Sequence, residues 1–326
     1  MILRHQFFIL ILAAASTQCV FATKLIGATA HLVAPCTNKL ITLDPTNAET
    51  KVLNSTFDGC PWHVNSAALD RDKGMFYVLR RHGDNASPLF VTKYSAMTGA
   101  EISNTQLADA SLRSLYSVFF DEDLQSLVCI VLNQTTTHWT ATLIDPETGA
   151  ITELVDLHML SPDIMGFDLA FSGYDPVEKK LYQVVETARS LVSLISVAVL
   201  NPNKSSSKPL YTGQSISDFL IAPVFHKGSL YGFMKNLTLT KFNLATGHVS
   251  AYGDQLMNIP PPESVLISSW HSVIDKEKGL LYIACTLNPE AKPSDSKTTF
   301  FSMDIHSGKT TLSKPISFPI MFLHLV

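Results

Sequence analysis

One short pattern returns about once every fifty residues along this 326-residue chain. An Asp closes one apolar run, and an aromatic or aliphatic residue opens the next seven positions later. The pattern reads Asp70 to Tyr77, Asp121 to Val128, Asp175 to Tyr182 and Asp275 to Tyr282, with a shortened copy from His226 to Tyr231. Successive anchors stand 51, 54, 51 and 49 positions apart. A second signal keeps the same beat: Thr98-Gly99, Thr148-Gly149, Thr246-Gly247 and Ser307-Gly308, each after an apolar run. A unit of 40–50 residues made of short strands cannot bury its apolar face alone, so copies must pack against one another.

Each unit divides into four strands. In the clearest copy, residues 65–69 form an inner strand and Asp70 to Gly74 a turn rich in residues that accept bent backbone. Strands follow at 75–80, 89–95 and 101–106, the last two joined at Thr98-Gly99, where glycine suits the positive φ of a tight turn. Six such tight turns are countable, near 44–48, 97–99, 145–149, 201–205, 244–247 and 304–308, against five Asp-type turns. The missing Asp-type turn falls where the ends of the domain meet. There the apolar run 318–326 supplies the inner strand of a blade whose other three strands come from residues 24–53. This predicts an all-β, six-bladed β-propeller spanning residues 23–326 as one domain, with seven blades, one degenerate, as the alternative.

Residues 1–22 read as a signal peptide: Arg4 and His5, an apolar core from Phe7 to Ala15, then Val20-Phe21-Ala22 ahead of the cleavage point. No later apolar run reaches the ~20 residues a spanning helix needs. The expectation is a secreted, extracellular glycoprotein. Without Cys19 the mature chain keeps Cys36, Cys60, Cys129 and Cys285. Cys129 and Cys285 read as buried inner-strand residues in distant blades. Cys36 and Cys60 flank one blade near loops, so a Cys36–Cys60 disulfide is expected. Sequons at Asn54, Asn85, Asn133, Asn203 and Asn236 fall at predicted turns or strand ends, which suits glycosylation. Glycans at Asn85, Asn133 and Asn236 would ring one face and leave the other freer for protein partners.

A formal net charge of −4 and the absence of a basic run argue against nucleic acid, which needs clustered Lys and Arg. The Asp–x6–Tyr and Thr-Gly rhythm resembles the broad group of secreted six-bladed propellers that includes the low-density-lipoprotein-receptor type, NHL-repeat and gluconolactonase/paraoxonase-like proteins. The resemblance covers nearly all of residues 23–326 and implies the fold. Receptor-type second strands carry Tyr-Trp-Thr-Asp, whereas this chain has Tyr77-Val78-Leu79-Arg80 and Tyr182-Gln183-Val184-Val185. Gluconolactonase-like hydrolases place a metal-binding Glu near the start of the domain, where residues 24–43 hold no Glu or Asp.

Propellers place ligands at one mouth of the central channel, on the segments leading into the inner strands. Those segments select His63, Tyr116, Asp168, Asp218 and His271 as ligand-binding candidates, with Trp62, Asn65, Arg113, Trp270 and His324 beside them. His and Asp around one axis suit a divalent metal as possible cofactor, or acid–base chemistry. The same residues also suit hydrogen bonds that tie neighbouring blades. The recurring Asp residues read as turn formers and the recurring Tyr residues as packing between blades, because a site would be unique. No Gly-x-Ser-x-Gly, phosphate-cradling loop or Cys-x-x-Cys is present. Two functional readings follow. One is an extracellular binding or interaction protein for a small molecule, glycan or protein, with its ligand at the channel mouth. The other is a secreted enzyme, a metal-assisted hydrolase or oxidoreductase, using His and Asp at the channel.

Overall fold

The computed structural model describes residues 23–29, 37–58, 67–81, 88–108, 112–133, 137–159, 164–187, 192–201, 205, 211–213, 221–233, 237–245, 248–256, 266–288 and 297–326. They form six four-stranded antiparallel sheets, so the six-bladed count holds and the seven-bladed alternative does not. The first blade combines β1 (Leu25–Thr29), β2 (Thr37–Leu43) and β3 (Thr50–Asp58) with β24 (Ile320–Leu325) as its inner strand. The second runs outward through β4 (Ala67–Asp70), β5 (Met75–Arg81), β6 (Leu89–Ser95) and β7 (Glu101–Gln106). The third holds β8 (Leu112–Asp121), β9 (Ser126–Asn133), β10 (His138–Ile144) and β11 (Ile151–Asp156). The fourth holds β12 (Ile164–Asp175), β13 (Lys180–Thr187), β14 (Val192–Ala198) and β15 (Tyr211–Gly213). The fifth holds β16 (Ile221–His226), β17 (Ser229–Phe233), β18 (Thr238–Asn243) and β19 (Val249–Gln255). The sixth holds β20 (Leu266–Asp275), β21 (Leu280–Asn288), β22 (Lys297–Asp304) and β23 (Thr310–Ile316). Among the described residues no helix is long and apolar enough to cross a membrane.

The two recurring signals act as local chemistry dictates. After the inner strands of the second, third, fourth and sixth blades the Asp carboxylate accepts backbone N–H bonds from the turn it opens. Asp121 takes those of Asp123 and Leu124 at 3.1 and 2.9 Å, and Asp175 takes those of Val177 and Glu178 at 2.9 and 3.1 Å. Asp275 takes those of Glu277 and Lys278, both at 3.1 Å, and Asp70 that of Lys73 at 3.0 Å. These are Asx-type turns, which need a short acceptor side chain at that one position. The outer hairpins repeat a second arrangement. The Gly149 and Gly308 N–H groups donate to the Asp145 and Asp304 carbonyls, both at 2.8 Å, while each Asp side chain caps the turn.

Apolar faces meet between blades rather than inside one. Clusters join the first and second blades around Phe76 and Phe322, the second and third around Tyr77 and Val131, and the third and fourth around Leu157 and Ile195. Others join the fifth and sixth around Phe233 and Phe301, and the sixth and first around Phe300 and Leu325. The recurring Tyr residues belong to these seams: Tyr77 stacks on Phe120 at 5.2 Å and Tyr182 on Phe225 at 6.1 Å, each on the following blade. Backbone bonds cross the seams as well, from Ala108 N–H to the Gly149 carbonyl at 3.0 Å and from Asp254 N–H to the Gly308 carbonyl at 2.6 Å.

Two expectations need correction. Cys129 and Cys285 are buried free thiols, but they lie on second strands β9 and β21, because the Asp-type turn places them after the inner strand. Asn54 does not stand at a strand end; it lies inside β3. Its pairing with β2 jumps from Lys39–Thr56 to Ile41–Val52, a bulge on the outer strand. Residues 1–22, Cys36 and Cys60 with their expected disulfide, Asn85, Asn203 and Asn236 lie outside the described residues. Asn133 ends β9.

Gly149 joins the turn to the seam. Its φ of +71° belongs to the left-handed region, and an added Cβ would stand 2.2 Å from the Gln106 carbonyl oxygen on the neighbouring blade. We expect Gly149→Ala to lower unfolding free energy by about 1–3 kcal/mol. Chemical denaturation of the purified variant checks this, with a shift in midpoint as the readout.

Candidate functional site

Six inner strands cannot close on themselves in the middle of a ring. Strands β24, β4, β8, β12, β16 and β20 touch one another in circular order and leave a channel. The described part of that channel is a cavity of about 370 Å³. Its walls follow the repeat: residues 67–69, 118–120, 172–174, 223–225 and 272–274 each stand just ahead of the blade's Asp, or of His226 in the fifth blade. The closing strand adds residues 322–325. The cavity opens on the face of the Asp-type turns, where Arg71, Glu122, Asp123, Lys179 and Lys276 stand.

The wall is unevenly furnished. The second and fourth blades bring small residues, Ala67, Ala68, Ser172 and Gly173, whereas the first, third and fifth bring Phe322, Phe119, Phe120 and Phe225, and the sixth brings Ser272 and Val273. Among these groups stand two imidazoles, His271 and His324. His271 is buried, and its Nε2 has no hydrogen-bond partner among the described residues. Burial, with His324 nearby, pushes its pKa down to about 3. Burial also pushes His324 down to about 4, against an opposing hydrogen bond with the Ala67 backbone. Both rings are therefore neutral at physiological pH. The His324–Ala67 bond runs between the first and second blades, so this ring does tie blades together. His271 packs edge-on against Phe322 at 5.9 Å and keeps one nitrogen unspent.

At the mouth a tight ionic group spans the third and fourth blades. Lys179 Nζ donates to both oxygens of Asp121 at 2.9 Å and to Asp123 at 2.6 Å, and the Tyr174 hydroxyl donates to Asp121 Oδ2 at 2.5 Å. Burial raises the Asp121 carboxyl, but the bonds from Tyr174, Lys179 and Leu124 outweigh it and hold the pKa below the ordinary carboxylate value. Lys179 sits at φ +51°, a conformation glycine takes at the matching turn positions Gly74 and Gly279. Gln125 takes the same conformation at the matching position of the third blade. Asp121 is thus fully engaged in structure.

Of the sequence-selected candidates, the structure places His271 in the cavity wall together with His324. Tyr116 and Asp168 lie on β8 and β12, and their side chains are not among those described. His63 and Asp218 lie outside the described residues. The aromatic wall and the basic mouth residues Arg71 and Lys276 escaped the sequence reading. Their signal is positional: the two or three residues ahead of each recurring Asp.

No family model matches the sequence, and no curated relative matches it either. Solved structures do resemble it. A protein from Lactobacillus plantarum aligns over 93% of this chain and 99% of its own, with a TM-score of 0.54 at 12% identity. The periplasmic gluconolactonase of Pseudomonas aeruginosa gives the same coverage and TM-score at 10% identity. A putative TolB from Agrobacterium tumefaciens covers 90% and 91%, with a TM-score of 0.54 at 8% identity. The chain is a six-bladed β-propeller. At these identities the likeness is one of fold.

The buried imidazoles set an acid limit. An unfolded His takes up its proton near 6.5, whereas the folded rings wait until about 3 and 4. The unfolded state therefore binds more protons between those values, and stability present above pH 6.5 is lost as pH falls toward 4. At pH 5 the loss is about 2 kcal/mol for each ring. Melting temperature measured from pH 7.5 to 4.5 should fall, and His271→Phe should flatten part of that slope. Asp121, depressed in the other class, adds a loss only at lower pH, as its carboxylate protonates. Asp121→Ala should cost roughly 1–3 kcal/mol at pH 7, because the Tyr174 hydroxyl loses its buried acceptor while Lys179 keeps Asp123.

Proposed function

We propose that this chain is an exported small-molecule-binding protein whose ligand sits in the central channel. One observation carries the reading: a cavity of about 370 Å³, walled by aromatic and small side chains, holds a buried neutral imidazole nitrogen with no partner among the described residues. Ligand pockets commonly occupy ~300–1,000 Å³ and combine an apolar lining with a few placed polar groups. An unpartnered buried polar atom is costly, and a ligand that hydrogen-bonds it recovers that cost. The ligand has an apolar body for the Phe wall, one hydrogen-bonding group for His271 Nε2, and tolerance for Arg71 and Lys276 at the mouth. Export rests on residues 1–22 and the five sequons.

A second reading is a hydrolase acting on a lactone, favoured by the gluconolactonase and by a putative 6-phosphogluconolactonase from Bacteroides uniformis among the proteins of like fold. The imidazoles weigh against it: a ring whose conjugate acid sits at about 3 or 4 is a weak general base at neutral pH. Binding asks only that the ring be neutral.

Anilinonaphthalene sulfonate tests the site, since it pairs an aromatic body with one anionic group. Its fluorescence should rise with one equivalent bound, and His271→Phe should weaken it about tenfold, the equivalent of one hydrogen bond. No saturable binding, or binding indifferent to His271→Phe, would sink the channel assignment. Turnover of gluconolactone that His271→Phe abolishes would replace it with the hydrolase reading.

A further inference from the structure

A second cluster of chemistry-bearing side chains lies away from the channel, on the outer rim of the third blade. Strand β10 begins at His138, and its partner β11 ends at Asp156, opposite Thr140. The pairing slips between Ala141 and Thr142, and the chain then curls into the short 3-10 turn Leu157–Met159. Leu157 is buried in the seam with the fourth blade and anchors that turn. The curl brings His158 back over Asp156, and the His158 backbone N–H donates to Asp156 Oδ1 at 2.9 Å.

The outcome is two imidazoles aimed at one carboxylate. His138 Nδ1 is 2.6 Å from Asp156 Oδ2, and His158 Nδ1 is 3.5 Å from Asp156 Oδ1. The rings stack at 4.6 Å with 27° between their planes. One donor atom from each residue lies within 4.8 Å of the others. His158 Nδ1 is buried and makes no hydrogen bond among the described residues. A ring nitrogen held near a carboxylate, yet unbonded, is placed as a ligand would be.

We propose that His138, Asp156 and His158 bind one divalent transition-metal ion, Zn2+ by the chemistry of the donors. Two imidazoles and a carboxylate suit Zn2+ and its neighbours, whereas Ca2+ and Mg2+ prefer all-oxygen sites. Bonds of 2.0–2.1 Å at tetrahedral angles separate ligand atoms by about 3.3 Å. The His158–Asp156 separation of 3.5 Å already meets that spacing. The His138–Asp156 contact of 2.6 Å must open by roughly 0.7 Å, a shift that a half-exposed side chain at a strand end accommodates. Three protein ligands leave a fourth position open to solvent. The ion would clamp β10, β11 and the following turn together, at a distance from the channel and independent of its ligand.

Titration of the chelator-treated full chain with Zn2+ by calorimetry, and with Co2+ by visible absorption, tests the proposal. The expected result is one equivalent bound, tetrahedral Co2+ bands, and a higher melting temperature that Ca2+ and Mg2+ do not reproduce. His138→Gln and His158→Ala should each weaken Zn2+ by about 100-fold or more, the upper end of what losing even a supporting neighbour of a ligand costs. His306→Ala, an exposed imidazole elsewhere, should leave affinity unchanged. A chain that binds no Zn2+, or binds it equally well in both His138→Gln and His158→Ala, overturns the assignment. His138→Gln changes an exposed side chain and keeps the test valid if His158→Ala fails to fold.

Discussion

Everything in this molecule depends on one antiparallel pairing, that of β1 with β24. It joins Leu25 to Leu325 and Ile26 to His324, residues about 300 positions apart, and it turns a row of blades into a ring. Closing a loop of that length costs about 5 kcal/mol in chain entropy. The returns outweigh it. Ile320, Phe322, Leu323 and Leu325 are all buried, at ~1.5–3 kcal/mol each, and the seam leaves no open sheet edge between the sixth blade and the first. Without β24 the first blade would lack its inner strand, and the channel would lose the wall that carries Phe322 and His324.

The ring then decides what the channel can be. Inner strands facing a common axis leave a gap they cannot fill with backbone, so side chains set its chemistry. Here they set it toward apolar contact with two neutral imidazoles, while the buried carboxylate of Asp121 is consumed by Tyr174 and Lys179. Lys179 takes the left-handed backbone of its turn position, as Gln125 does in the third blade, and from there bridges the two blades.

How much of this was legible in the sequence follows from the range of the forces involved. Asp70, Asp121, Asp175 and Asp275 act on backbone two or three residues away, so their spacing announced the blades and the closing strand directly. The Tyr stacks were legible for the same reason, as a fixed offset from those turns. The channel was only half legible. His271 was selected, but Phe119, Phe225 and Arg71 gain meaning only once six strands from distant segments face one axis. Cys129 and Cys285 were placed one strand too far inward because burial alone does not tell the first strand from the second. The His138–Asp156–His158 cluster was missed entirely: a register slip in β11 and a three-residue turn assemble it, and neither leaves a periodic trace.

The relation between the Asp turns and the cavity wall has a further consequence. In the second, third, fourth and sixth blades the contribution to the pocket lies in the two or three residues directly ahead of a turn that is stabilised by its own carboxylate and backbone. The Asp side chains that hold the turns and the residues that line the cavity are neighbours in the chain. Exchanging Ala68 or Ser172 changes one sector of the pocket and leaves the turn bonds of that blade in place. The cavity lining is therefore composed sector by sector around the axis, and its shape can change without a new fold.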